Sequence, residues 1–185
     1  MSEKKSESSS YAFQYGEGLP QARLKLQHQI LEPGSHSFLE KNLTSSMDVF
    51  EYGCGSGETT QLISKFVPSG SIFAIDKNQK QIDCAKNYLN NSKVTFSTQD
   101  LTQPLTLPKT FDASYGRYVI EHFNEKDRKI ALDNCIKTLK SDGILLIEEA
   151  DLNKIFYGSN NHAVDRLAEL YKDCYILKFL GTAKN

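Results

Sequence analysis

The stretch VFEYGCGSGETT, Val49 to Thr60, decides how this 185-residue chain is read. Val49 and Phe50 read as the end of a buried strand, and Glu51 sits where that strand stops. Gly53, Gly55 and Gly57 then form a turn. From Glu58 to Val67 the apolar residues Leu62, Ile63, Phe66 and Val67 fall on one helical face. A strand, a glycine loop and a helix in this order form a cradle of the nucleotide-binding kind. The spacing narrows the ligand. A dinucleotide fingerprint G-x-G-x-x-G would put its third glycine at position 58, where Glu58 stands. A phosphate loop would close on Lys followed by Ser or Thr, and this one does not. Glu51 and Glu58 would repel a pyrophosphate, so the loop suits a ligand without phosphates that carries an amine or other positive charge.

Acid-x-G-x-G-x-G after a strand, here Glu51 to Gly57, resembles motif I of the class I S-adenosylmethionine (SAM)-dependent methyltransferases. The resemblance implies that Glu51, Gly53, Cys54, Gly55 and Gly57 belong to a cofactor site. Further acids follow at matching distances. SIFAIDKNQKQIDCAK, Ser71 to Lys86, gives a second strand ending in Asp76 and a helix with Ile82, Ala85, Tyr88 and Leu89 on one face. Asp76 suits the N-cap of that helix. The resemblance instead implies that it accepts both ribose hydroxyls, with the methylene stem of Lys77 along the adenine. VTFSTQDL, Val94 to Leu101, gives a third strand and then Asp100. In the family this acid accepts from the adenine amino group, and the next residue, here Leu101, covers a face of the ring.

FDASYGRYVIEHF, Phe111 to Phe123, reads as a fourth strand with Gly116 and Arg117 at its end. LKSDGILLIEEADL, Leu139 to Leu152, reads as a helix end stopped by Gly143 and then a fifth strand, Ile144 to Ile147. Strands alternating with helices predict an α/β fold: a Rossmann-like, doubly wound sheet of about five parallel strands with helices on both faces. In the order 3-2-1-4-5 the switch point lies between the first and fourth strands. Gly53 to Gly57 and Gly116 to Arg117 then face each other across one cleft.

Around this domain, taken as residues 46–185, the chain carries a polar tail at 1–10 that reads as disordered. A helical cap is expected at 11–45, with short helices at Pro20 to Leu31 and His36 to Leu43 separated by Pro33-Gly34. Tyr15 and Arg23 are candidate lid contacts of the cap. After the fifth strand, family members add a helix and a pair of antiparallel strands. Here Asn161 to Phe179 suits one helix, with Val164, Leu167, Tyr171 and Cys174 on one face, and the sequence then stops at Asn185. The expectation is a sheet shortened at its C-terminus, whose fifth-strand edge is covered by a homodimer or by that helix.

Bulk properties fit one domain. A net charge of −1 gives no electrostatic pull toward nucleic acid or an anionic membrane. No apolar run approaches the roughly 20 residues that span a bilayer. Cys54, Cys84, Cys135 and Cys174 form no C-x-x-C pair, which reads as reduced thiols of a cytoplasmic protein rather than a metal site.

The resemblance implies methyl transfer from SAM, leaving S-adenosylhomocysteine (SAH), by in-line displacement on a small-molecule acceptor. The alternative is a SAM- or SAH-binding domain with an incomplete acceptor site. A nicotinamide-dependent oxidoreductase fits less well, because Glu58 displaces the third glycine. A general base is needed only for an acceptor that holds its proton at neutral pH. Glu121 and His122 follow the fourth strand, and His122 is the better base on pKa grounds. Arg117 suits the carboxylate of the methionyl group or an acidic acceptor. Enzymes that methylate amide-type nitrogens carry an Asn/Asp-Pro-Pro-aromatic tetrad where this chain has Ser114-Tyr115-Gly116-Arg117, which disfavours such acceptors. The region Phe111 to Leu152 resembles methyltransferases of small metabolites, and the resemblance implies an acceptor of that kind.

Overall fold

The computed structural model describes residues 19–149, with the side chains of 19–25 and of residue 27 left aside. After an N-terminal helix, strands and helices alternate except between the third and fourth strands, which no helix separates. They are α1 (Leu19–Asn42), β1 (Val49–Tyr52), α2 (Glu58–Phe66), β2 (Ile72–Asp76), α3 (Gln79–Tyr88), β3 (Val94–Thr98), β4 (Phe111–Arg117), a 3-10 turn (Ile120–His122), α4 (Glu125–Lys137) and β5 (Leu139–Glu148). The five strands form one parallel sheet in the order β3-β2-β1-β4-β5, as the motif order predicted.

Alternation along the strands splits the core into two layers, because successive side chains of a strand point to opposite faces. On one face Val49, Ile72, Ala74, Ala113 and Tyr115 meet Leu39 of α1, Leu62 and Ile63 of α2, and Ile82 and Ala85 of α3. On the other, Phe50, Tyr52, Ile75 and Phe111 meet Ile120, Ala131 and Cys135. Two apolar faces explain why the central strands read as near-continuous hydrophobic runs.

Three expectations are corrected. The N-terminal segment is one helix through Pro33, not two short ones. Proline removes one rung of the helical ladder, but Leu39 is fully buried and Ser35 is bonded to β5, so tertiary contacts hold the second half in line with the first. Tyr88 is 49% exposed instead of lying on the apolar face of α3; its hydroxyl donates to Gln61 Oε1 at 2.8 Å. Gly143 lies inside β5 and is no helix stop. The helix ends at Lys137, and β5 begins at Leu139 opposite Phe111. The register then slips, because Ala113 pairs with Ile144. The chain between bulges outward, where Lys140 Nζ meets Asp112 Oδ1 at 2.7 Å. The tail at 1–10, Tyr15, Cys174 and the helix expected at Asn161 to Phe179 lie outside the described residues.

Candidate functional site

The glycine loop leaves β1 with Gly53, Gly55 and Gly57 all at positive φ (68°, 53° and 95°). This backbone region costs an ordinary residue about 1–2 kcal/mol. Two of these glycines do different work. A Cβ on Gly53 would fall 2.3 Å from Val119 Cγ2, so the loop is pressed against the segment that leaves β4. A Cβ on Gly55 would meet nothing within 4 Å, so the loop tip faces open space. Asp76, at the end of β2, fixes that tip. Its Oδ2 accepts from the Gly55 N–H at 3.0 Å and its Oδ1 from the Asn78 N–H at 2.8 Å. Asn78, not Asp76, caps α3. Burial pushes the Asp76 carboxyl above its ordinary pKa, against these two backbone donors.

Glu51 sits beneath the loop instead of at its surface. It is only 2% exposed, and Thr60 Oγ1 of α2 donates to its Oε2 at 2.6 Å. Burial pushes its pKa up to about 7, while the Thr60 hydroxyl and the Arg117 cation pull it back. Cys54 is buried, and burial raises its thiol so that it stays protonated. Its N–H donates to Ile75 O, tying the loop to β2. Lys77 and Asp100 are exposed, and Asp100 Oδ1 accepts from the N–H and the hydroxyl of Thr102. Leu101 turns inward to the Phe50–Phe111 layer and is 5% exposed.

On the other side of the cleft the site is built from side chains. Gly116 is required by contact: a Cβ there would sit 1.9 Å from the ring of Tyr52. Arg117 reaches α1, donating from one terminal nitrogen to Ser35 Oγ at 2.9 Å and from the other to His28 Nδ1 at 3.1 Å. Ser35 donates in turn to Glu148 Oε1 at 2.6 Å, and Tyr115 OH donates to Glu148 Oε2 at 3.0 Å. Helix α1 is thereby fastened across the carboxyl ends of β4 and β5. Next comes Tyr118, a bulky residue at φ 57°, a strained conformation. Its N–H donates to Glu148 O, and Glu149 Oε1 accepts from the N–H groups of Val119 and Ile120, so the end of β5 enforces the turn. His122 is exposed on the 3-10 turn that follows, and Glu121 is half-buried.

The structure thus gathers Glu51, Gly53, Gly55, Gly57, Asp76, Gly116 and Arg117 around the switch point. Asp100 and Lys77 stay toward the β2–β3 side and His122 on the far turn. Sequence reading missed His28, Ser35, Tyr115, Tyr118, Glu148 and Glu149. Glu148 carried the same signal that singled out Asp76, an acid at the end of a strand. Ser35 carried none.

The sequence pattern of the methyltransferase domain family matches residues 49–143, 95 of the 185 residues. This chain belongs to that family. The resemblance to class I SAM-dependent methyltransferases is borne out. Among curated proteins, the malonyl-[acyl-carrier protein] O-methyltransferase of Bacillus cereus is 30% identical over 122 residues, 66% of this chain and 43% of that protein. The chain therefore spans less than half the length of this relative. Among solved structures, the plantazolicin methyltransferase BpumL, in complex with a monoazolic desmethylPZN analog and SAH, superposes with a TM-score of 0.62 at 20% identity. The match covers 80% of this chain and 60% of that one. The DhpI–SAH complex gives a TM-score of 0.62 at 18% identity, covering 70% of this chain and 61% of that one. These likenesses extend to the fold.

Proposed function

We propose that this member of the methyltransferase family transfers a methyl group from SAM to a small-molecule acceptor. The observation that carries the reading is the tip of the glycine loop: Gly55 faces open space at positive φ while its N–H is locked onto Asp76. The residues fit a SAM-type group. The loop offers backbone without a side chain at its tip and has no lysine of the phosphate-binding kind. The acids Asp76 and Asp100 supply acceptors for hydroxyl and amino groups. When bound, SAM supplies a methyl group already activated by its sulfonium.

The chain's own residues then have four tasks. Asp76, its carboxylate oriented by two backbone donors, holds the hydroxyl-bearing part of the ligand. Gly53 and Gly116 let Val119 and Tyr52 close on the cleft wall, which keeps water from the reacting atoms. Helix α1, fastened through Ser35 and Arg117, covers the acceptor side and holds the acceptor in near-attack geometry. His122 takes the proton from an acceptor that must lose one.

Calorimetric titration of the protein with SAM and SAH, with NADH as control, tests this reading. Binding of both sulfur ligands in the micromolar range, lost in Asp76→Ala, is the expected result. Binding of NADH alone would overturn it, and binding of SAH alone would favour a cofactor-binding domain with poor turnover.

A further inference from the structure

Arg117 is a half-buried cation whose hydrogen-bond partners among the described residues are both neutral, the Glu51 carboxyl acting on it only through space. Its terminal nitrogens donate to the hydroxyl of Ser35 and to the imidazole of His28. The ion pairs among the described residues join Glu32 to Lys65, Asp48 to Lys109, and Asp112 to Lys140; none involves Arg117. Charges withdrawn from water are ordinarily paired. Both contacts also orient the fork. Ser35 spends its proton on Glu148 Oε1, so it presents only a lone pair to Arg117. His28 accepts at Nδ1, so its ring is neutral with the proton on Nε2. Of the five N–H donors of the guanidinium, two are engaged among the described residues. The others form the planar fork that matches a carboxylate.

We propose that Arg117, held by Ser35 and His28, is a carboxylate receptor, and that the carboxylate it takes is the acceptor's. This rests on the methyl-transfer reading and names the substrate class: small acids. Position favours the acceptor over the cofactor. Arg117 stands at the end of β4 and is tied to α1 and, through Ser35, to β5. Asp76 and Asp100 lie on the opposite side of β1, at the ends of β2 and β3.

The receptor has a built-in proton linkage. His28 faces Arg117 from β4, Glu32 from its own helix, and Glu58 and Lys65 from α2. Its pKa is lowered by burial first and by Arg117 second. An anion on Arg117 cancels the second cause, so the imidazole gains a proton more readily when a carboxylate is bound. That proton goes to Nδ1 and replaces the bond from Arg117, leaving Ser35 and the bound anion to hold the guanidinium. By linkage, carboxylate affinity rises as pH falls through the bound-state pKa of His28.

The experiment uses the full chain saturated with SAH and titrates it with acetate and butyrate, against acetamide and butyramide, by NMR of the Ser35 backbone amide. Carboxylates are expected to bind at least about tenfold more tightly than the amides. Arg117→Gln should weaken carboxylate binding at least about tenfold. Arg117→Lys, which keeps the charge and loses the fork, should weaken it about threefold to tenfold. Both variants should keep SAH affinity within about twofold, which also shows that they fold. The rise in carboxylate affinity as pH falls below the ordinary imidazole range should vanish in His28→Gln. Equal binding of acids and amides, or acid binding indifferent to Arg117→Gln, overturns the receptor. A tenfold or larger loss of SAH affinity in Arg117→Gln and Arg117→Lys, with acetate binding intact, assigns Arg117 to the cofactor's own carboxylate and overturns the proposal. Absence of SAH binding in the unaltered protein overturns the methyl-transfer reading and this proposal together.

Discussion

The two halves of the cleft are made differently. On the β1–β2 side the geometry is backbone: three glycines at positive φ and an aspartate whose oxygens are held by main-chain N–H groups. On the α1–β4–β5 side it is a chain of side chains, from His28 through Arg117, Ser35 and Glu148 to Tyr115. The first kind is encoded within about 25 residues of sequence. The second needs three elements that are distant in the chain to arrive together, the Ser35–Glu148 bond spanning 113 residues. A backbone cradle is preorganised and recognises what most members of a fold family share. A relay of side chains can change with single substitutions, so it is the natural place for acceptor choice.

The largest expected effect is at the seam between the halves. Gly116→Ala drives a methyl group into the fully buried Tyr52 ring, and should cost about 3 kcal/mol or more in denaturant unfolding. A loss under about 1 kcal/mol would mean that the seam yields and the halves are less separate than described. Next comes Glu51, whose pKa of about 7 exceeds the ordinary 4.5. The folded state holds this proton more tightly than the unfolded one, so the stabilising contribution is complete below about pH 4.5. It is lost as pH rises toward and through about 7, in total on the order of 3 kcal/mol. Glu51→Gln keeps an acceptor for Thr60 and should flatten this slope and stabilise the protein at pH 8. Asp76 shifts in the same direction and leaves a residual slope. An unaltered unfolding profile in the variant would sink the assignment.

Asp76→Ala isolates the backbone half. SAH affinity should fall about a hundredfold, close to 2.7 kcal/mol, as a pair of oriented charge-assisted acceptors is lost. Ser35→Ala isolates the other half. It strips a donor from Glu148 and an acceptor from Arg117, and should cost about 1.5 kcal/mol. Hydrogen exchange should quicken in α1 and leave β1 and β2 unchanged; equal quickening in both would dissolve the comparison. Smallest is His122→Ala, expected to lower turnover about tenfold with SAH affinity unaltered. A rate equal to that of the parent protein removes His122 from the mechanism.

How much could be read from sequence follows the same division. The strand order, the glycine loop and the placement of Asp76 were legible because each is signalled by neighbours: an apolar run, an acid, a glycine at the required φ. Glycines 53 and 116 were legible as glycines, though not for their contacts with Val119 and Tyr52, which come from opposite sides of the cleft. Pro33-Gly34 misled, since a local breaker signal was overruled by burial of Leu39 further along the helix. Gly143 misled for the converse reason. It looks like a helix stop, but the register slip in β5 absorbs it. Ser35, a small polar residue in a helix, gives no hint that it bridges an arginine and a glutamate.

Pro33 has one more consequence. His28 and Ser35, the two groups of α1 that grip Arg117, stand on opposite sides of it. Having no N–H, Pro33 leaves the carbonyl of Gln29 without its usual partner, so the helix is least stiff between those two positions. The helix is therefore a pair of calipers with its pivot between the jaws, and a few degrees of bending there sets how tightly the arginine is clasped.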